Sequence, residues 1–119
     1  MRAFGATVFA QGLPSGATAW EYATYRQQKI VTGSRYLWTA PGVGNGIGGE
    51  IEEFYPSLAA HYGIDYEAVR DTLSPRGFPT SPNVAHAMNL VGIVGWELVA
   101  YFPEDANGVV EAIFKRPRP

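Results

Sequence analysis

Asn89-Leu90-Val91-Gly92-Ile93-Val94-Gly95-Trp96-Glu97-Leu98-Val99 is the stretch that decides how this chain folds. Its first half continues an apolar spacing, Val84, Ala87, Met88, Val91, that opens after Ser81-Pro82-Asn83. That spacing predicts a helix over 83–94, because residues three and four apart share one face and a proline is well placed in a first turn. Its second half turns to strand chemistry in Trp96-Glu97-Leu98-Val99-Ala100-Tyr101-Phe102. Gly95 sits at the junction, where a residue free to adopt positive φ can stop a helix. Trp96 then starts a strand with a large apolar surface to lay on the helix just ended, which makes it a core anchor. Glu97 points the other way, toward solvent or a cross-strand base such as Lys115.

Downstream, Pro103-Glu104-Asp105-Ala106-Asn107-Gly108 reads as a turn, and Val109 to Lys115 alternates as the strand that pairs back. Residues 115–119 form a basic, proline-stiffened tail. Upstream, Trp20–Arg26 alternates as a strand with Trp20, Tyr22 and Thr24 on one face. Gln28 to Thr39 is β-branched and aromatic around Thr32-Gly33-Ser34, which predicts a further strand or hairpin.

Residues 41–49 hold five glycines in nine positions and read as a loop. Glu50 then opens a helical stripe of Ile51, Phe54, Leu58 and Tyr62, with Glu50, Glu52 and Glu53 in the dipole-favoured first turn. Pro56 is expected to interrupt it, with Tyr55 bending outward. Gly63 is a C-cap, and Asp65 an N-cap for a short helix with Ala68, Val69 and Leu73.

Three pieces of this pattern resemble a family of small bacterial domains of unknown function. These are Trp20-Glu21-Tyr22, the Gly95-Trp96-Glu97-Leu98-Val99 junction, and Ile113-Phe114-Lys115-Arg116-Pro117. The match covers about a third of the chain and departs from the family across 27–82, where the family has a short link; that span reads as an insertion. The resemblance implies a β-α-β-β scaffold and no catalytic activity.

Length and composition bound the rest. At 119 residues the chain fits one domain. Residues 1–19 read as an extended arm, and 20–119 as a single α+β domain with a small, mainly antiparallel sheet, one packed helix and an inserted loop with two short helices. The expected core is Trp20, Tyr22, Val84, Ala87, Met88, Val91, Trp96, Leu98, Ala100, Val110, Ala112 and Phe114. Net charge is -2, which gives no global attraction to nucleic acid or anionic lipid. Cysteine is absent, which removes disulfides, thiolate nucleophiles and cysteine-held metals. The run Ala3–Ala10 is broken by Gly5 and Thr7 and makes a poor export signal, so a cytoplasmic location is expected. No stretch is long and apolar enough to span a bilayer.

No catalytic, cofactor or metal residues are assigned. Gly44-x-Gly46-x-x-Gly49 matches a dinucleotide fingerprint, but its helix opens with three carboxylates that repel phosphate, and the chain is short for the βαβ array that gives the motif meaning. Residues 57–73 resemble a helix-turn-helix, yet the second helix carries Glu67 and Asp71 with Asp65 before it, against Arg70 alone. A packing hairpin explains them with less. His61 and His86 lack metal-ligand spacing.

The leading expectation is a non-catalytic protein-interaction module, an accessory or structural subunit whose partner is another protein or a second copy. Its contact residues are expected to be Phe4, Val8, Phe9, Tyr36, Trp38, Tyr55 and Tyr66, since Tyr and Trp anchor interfaces. The alternatives are a DNA-binding regulator through 57–73 and a small-molecule or nucleotide binder at 42–50.

Overall fold

The computed structural model describes residues 19–73 and 84–118. Its elements are β1 (Trp20–Ile30), β2 (Gly33–Thr39), β3 (Ile47–Gly49), α1 (Ile51–His61), α2 (Tyr66–Leu73), α3 (Val84–Gly92), β4 (Glu97–Phe102) and β5 (Val109–Pro117). The strands form one antiparallel sheet in the order β3-β2-β1-β5-β4. The helices cover one face of it, and the fold is α+β. Elements β1, α3, β4 and β5 are the β-α-β-β scaffold. The segment read as an insertion adds β2 and β3 to the sheet as well as α1 and α2.

The decisive junction forms as its residues require. Gly95 has φ +95. The Trp96 amide donates to the Val91 carbonyl at 3.2 Å and the Gly95 amide to Gly92 at 3.1 Å. These two bonds satisfy carbonyls that the end of α3 would otherwise leave bare. The same device ends α1, where Gly63 has φ +72 and the Ile64 and Gly63 amides return to Ala59 and Ala60.

Register decides which face of β1 is interior. Ala23 pairs with Phe114 and Tyr25 with Ala112, all four buried. Alternation then sends Trp20 and Tyr22 to the opposite, helix-free face, where they are 40% and 55% exposed. This corrects the expected core: the long β1 turns Glu21, Ala23 and Tyr25 inward, and the two large aromatics outward. Val84, Met88, Leu98, Ala100 and Val110 are half-buried; Ala87, Val91, Trp96, Ala112 and Phe114 are fully interior as expected.

Most of the core comes from residues read as loop, surface or insertion: Tyr25, Tyr36, Trp38, Phe54, Tyr55, Leu58, Ala59, Leu73 and Leu90. Trp38 lies edge-on to Trp96 with ring centres 5.5 Å apart, and 5.4 Å from Phe114. Tyr36 stacks on Phe54 at 5.3 Å. Aromatic pairs of this kind add about 0.5–1.5 kcal/mol each beyond area burial.

Three further expectations change. Helix α1 runs unbroken through Pro56, and Tyr55 is buried. Pro56 is the sixth helical residue, so it removes one early hydrogen bond, and burial of Phe54, Tyr55, Leu58 and Ala59 on both sides of it holds the helix. The last three residues of the glycine-rich segment pair with β2 as strand β3. The tail is structural through Pro117: Arg116 lies within β5 and donates from Nε to Glu21 Oε2 at 2.6 Å and from its guanidinium to the Val94 carbonyl at 3.2 Å.

Candidate functional site

The residues expected to meet a partner separate into three groups. Phe4, Val8 and Phe9 lie outside the described residues. Tyr36, Trp38 and Tyr55 are interior, so the exposure expected of them is corrected: they belong to the helix-covered face of the sheet and the inner face of α1. Tyr66 is half-buried on α2.

These buried aromatics are tied by their polar atoms. Trp38 Nε1 donates to Tyr62 Oη at 3.0 Å. Tyr25 Oη donates to Gln27 Oε1 at 3.0 Å and lies 3.2 Å from Tyr55 Oη. Tyr66 Oη is 2.9 Å from His86 Nε2. Burial pushes the Tyr25, Tyr36, Tyr55 and Tyr66 phenols above their ordinary range. Burial, and then the nearby Arg70 charge, pushes His86 below its own. Both directions favour neutral groups near pH 7, which suits a hydrogen-bonded interior. Having a hydroxyl partner explains how an imidazole fits on the inner stripe His86, Ala87, Leu90, Val91 of α3, which is rotated from the expected Val84, Ala87, Met88, Val91.

The helix-turn-helix-like segment is a helical hairpin. Its turn is the glycine stop at Gly63, and α2 packs on α1 and α3. The exposed side of α2 presents Glu67 and Asp71, which meet Arg70 at 3.4 and 3.9 Å. This leaves little unopposed positive charge for phosphate.

Gly46 and Gly49, within the glycine-rich segment 42–49, have packing explanations. A Cβ on Gly46 would lie 3.0 Å from the Trp38 carbonyl oxygen, and one on Gly49 would lie 3.2 Å from Glu53 Oε1. Beside them, where β3 ends, an open cleft of about 410 Å³ is lined by Arg26, Arg35 and Gln28 on one side and Glu50 and Glu53 on the other. Its opposed charges, and the pairing of Arg26 with Glu111 at 3.6 Å, give it no single ligand sign.

The most distinctive surface is at the opposite edge of the sheet. Strand β4 pairs with β5 on one side, and no described strand pairs with its other side. Of the large apolar side chains exposed on the described chain, three belong to this strand: Val99 at 50%, Tyr101 at 50% and Phe102 at 49%. An apolar groove of about 310 Å³ runs beside the strand, lined by Val84, Ala85 and Met88 of α3 and Leu98 and Tyr101 of β4. Lysine and proline, the residues that usually blunt an exposed edge, are absent from 97–102. The other edge is closed, because β3 is three residues long, carries two glycines and lies against α1.

One signal for this edge was present in the sequence. Leu98 to Phe102 is apolar at five successive positions, which a strand with one wet face does not need. The strand order that makes β4 an edge is not encoded locally.

No family model matches the chain, and no curated protein or solved structure matches it. Among the described residues no group of His, Asp and Glu side chains is arranged to hold a metal ion, and no helix is long and apolar enough to cross a membrane.

Proposed function

We propose that this chain is a non-catalytic protein-interaction module that takes an extended, apolar strand of another polypeptide along the edge of β4 that no described strand pairs. The observation that carries this reading is the coincidence of an edge unpaired among the described strands, exposed Val99, Tyr101 and Phe102, and the groove between α3 and β4. Strand addition uses both parts. The edge supplies main-chain hydrogen bonds, and every second side chain of the incoming strand enters the groove. The occupant is an alternating apolar strand, since the groove walls Val84, Met88, Leu98 and Tyr101 offer it mainly hydrocarbon and one ring.

A strand peptide carrying Glu97–Phe102 with solubilising ends tests the reading. Titrated into labelled protein, it is expected to shift the amides of β4 and the methyls of Met88 and Val84. Absence of shifts there at millimolar peptide, or shifts confined to other strands, removes the proposal.

A further inference from the structure

We infer that the strand received at this edge is β4 of a second copy of the chain, paired antiparallel about a two-fold axis so that two five-stranded sheets become continuous. This rests on the strand-addition reading above and names its partner.

The argument is one of register. Strand β4 carries an irregularity between Leu98 and Ala100: Leu98 faces Phe114, whereas Ala100 faces Ile113. Phe114 and Ile113 are consecutive, so Val99 is an extra residue and the faces of β4 shift by one across it. Leu98 and Tyr101, three apart, therefore both lie on the helix-covered side, opposite Phe114 and Ala112. In a regular strand they would face opposite ways.

Consider a two-fold axis between Val99 and Ala100. Leu98 of each copy then stands across from Tyr101 of the other, both on the helix-covered side and beside the groove. Glu97 stands across from Phe102, both on the open side. Every rung outside the bulge matches face to face, so each copy presents the surface the other requires, as an isologous contact demands. With the bulge at the axis, the register is compatible with that pairing.

Size agrees with a reversible dimer. Tyr101 and Phe102 are each about half exposed, and a fully buried aromatic hides about 150–250 Å². With Val99 and the groove walls, the two copies together would bury on the order of 1,000 Å² at most, the range of weak, transient contacts.

Sedimentation of the full chain from about 1 to 500 µM is the test, with a mixed sample of labelled and unlabelled protein for contacts between copies. Expected are a monomer–dimer equilibrium, intermolecular contacts from Leu98 to Tyr101, and at least a tenfold weakening in Val99→Lys and Tyr101→Lys. Val31→Lys, at a hairpin tip 103% exposed, should leave the equilibrium unchanged. Native circular dichroism of each variant separates lost pairing from lost folding. A dimer that survives both edge substitutions but dissociates in Tyr22→Lys overturns the inference in favour of the open sheet face. A monomer at 500 µM also overturns it; if the β4 peptide still binds the edge, the strand-addition reading stands with a different donor, and if it does not, both fall.

Discussion

Replacing Arg116 with alanine is expected to be among the most damaging substitutions outside the apolar core. Glu21 points to the helix-covered face and is 9% exposed, an interior position for a carboxylate. Its partner is the Arg116 guanidinium, whose Nε lies 2.6 Å from Glu21 Oε2 and whose side chain is 24% exposed. The guanidinium also lies 4.5 Å from the centre of the Trp96 ring and 5.3 Å from that of Tyr62, and it caps the Val94 carbonyl at the end of α3. Arg116→Ala leaves the carboxylate buried and unpaired, and removing one member of a buried pair typically costs about 3–5 kcal/mol. Because the guanidinium is partly wet, about 3 kcal/mol is expected. At about 4 °C per kcal/mol for a chain of this size, Tm falls by about 12 °C. The double substitution Glu21→Met with Arg116→Met removes both charges and keeps apolar volume, so it should recover most of the loss, ending within about 1 kcal/mol of the parent. Urea unfolding followed by tryptophan fluorescence, run as a double-mutant cycle, measures both. A loss below about 1 kcal/mol in Arg116→Ala, or a double variant no better than the single one, refutes the reasoning. It would mean that Glu21 finds water and the pair is a surface pair after all.

Further outcomes follow from single positions. Trp38→Phe should destabilise by about 1–2 kcal/mol more than Trp96→Phe, since Trp38 Nε1 has Tyr62 Oη whereas buried Trp96 Nε1 has no partner, so its removal relieves a desolvated donor; equal losses in urea unfolding contradict this. Gly46→Ala should cost about 1–3 kcal/mol and exceed Gly44→Ala, because at φ +99 its Cβ meets the Trp38 carbonyl oxygen at 3.0 Å while Gly44 at φ +59 has open space. Stability should also fall with acid through His86, which faces Tyr66 and Arg70 of α2 and Tyr55 of α1. Its folded pKa lies below the ordinary 6.5, so the unfolded chain takes up the proton first. The contribution is complete above 6.5 and is lost as the pH falls through the depressed folded value; His86→Gln should flatten that part of the pH profile, and an unchanged slope would remove His86 as its source.

The legible parts of this fold were those whose signal is local. The Gly95 stop, the Trp96 anchor and the alternation of Val109–Lys115 each depend on a few neighbouring residues, and those elements stand as read. The face of β1 was not legible, because Trp20, Tyr22 and Thr24 on one side and Ala23 and Tyr25 on the other give two plausible interiors. Pairing with Phe114 and Ala112 chooses between them, and that is a contact across some ninety positions. Tyr36, Trp38 and Tyr55 were read as surface anchors for a related reason. An aromatic side chain suits a core and an interface equally well, and only the arrival of α1 over β2 buries them. Arg116 was misread as tail because a basic residue near a chain end is usually solvated; its partner Glu21 lies at the far end of the sequence.

The candidate site shows the same division between local and global information. Residues 98–102 are apolar on both faces, and local reading assigns such a strand to the middle of a sheet. Among the described strands the topology puts it at the rim, because β1 already has β2 on one side and β5 on the other, and β5 leaves β4 only one described neighbour. A strand with interior chemistry in an edge position is a conflict between two levels of the fold. Such conflicts tend to mark function, since stability alone gives no reason to keep them. The bulge at Val99 sharpens the point. Bulges are among the devices that blunt an edge, yet here exposed Val99, Tyr101 and Phe102 lie at or beside it. It brings Leu98 and Tyr101 to the helix-covered side, opposite Phe114 and Ala112. The two rims therefore differ: α1 lies along β3 at one, while at the other α3 and β4 line an apolar groove.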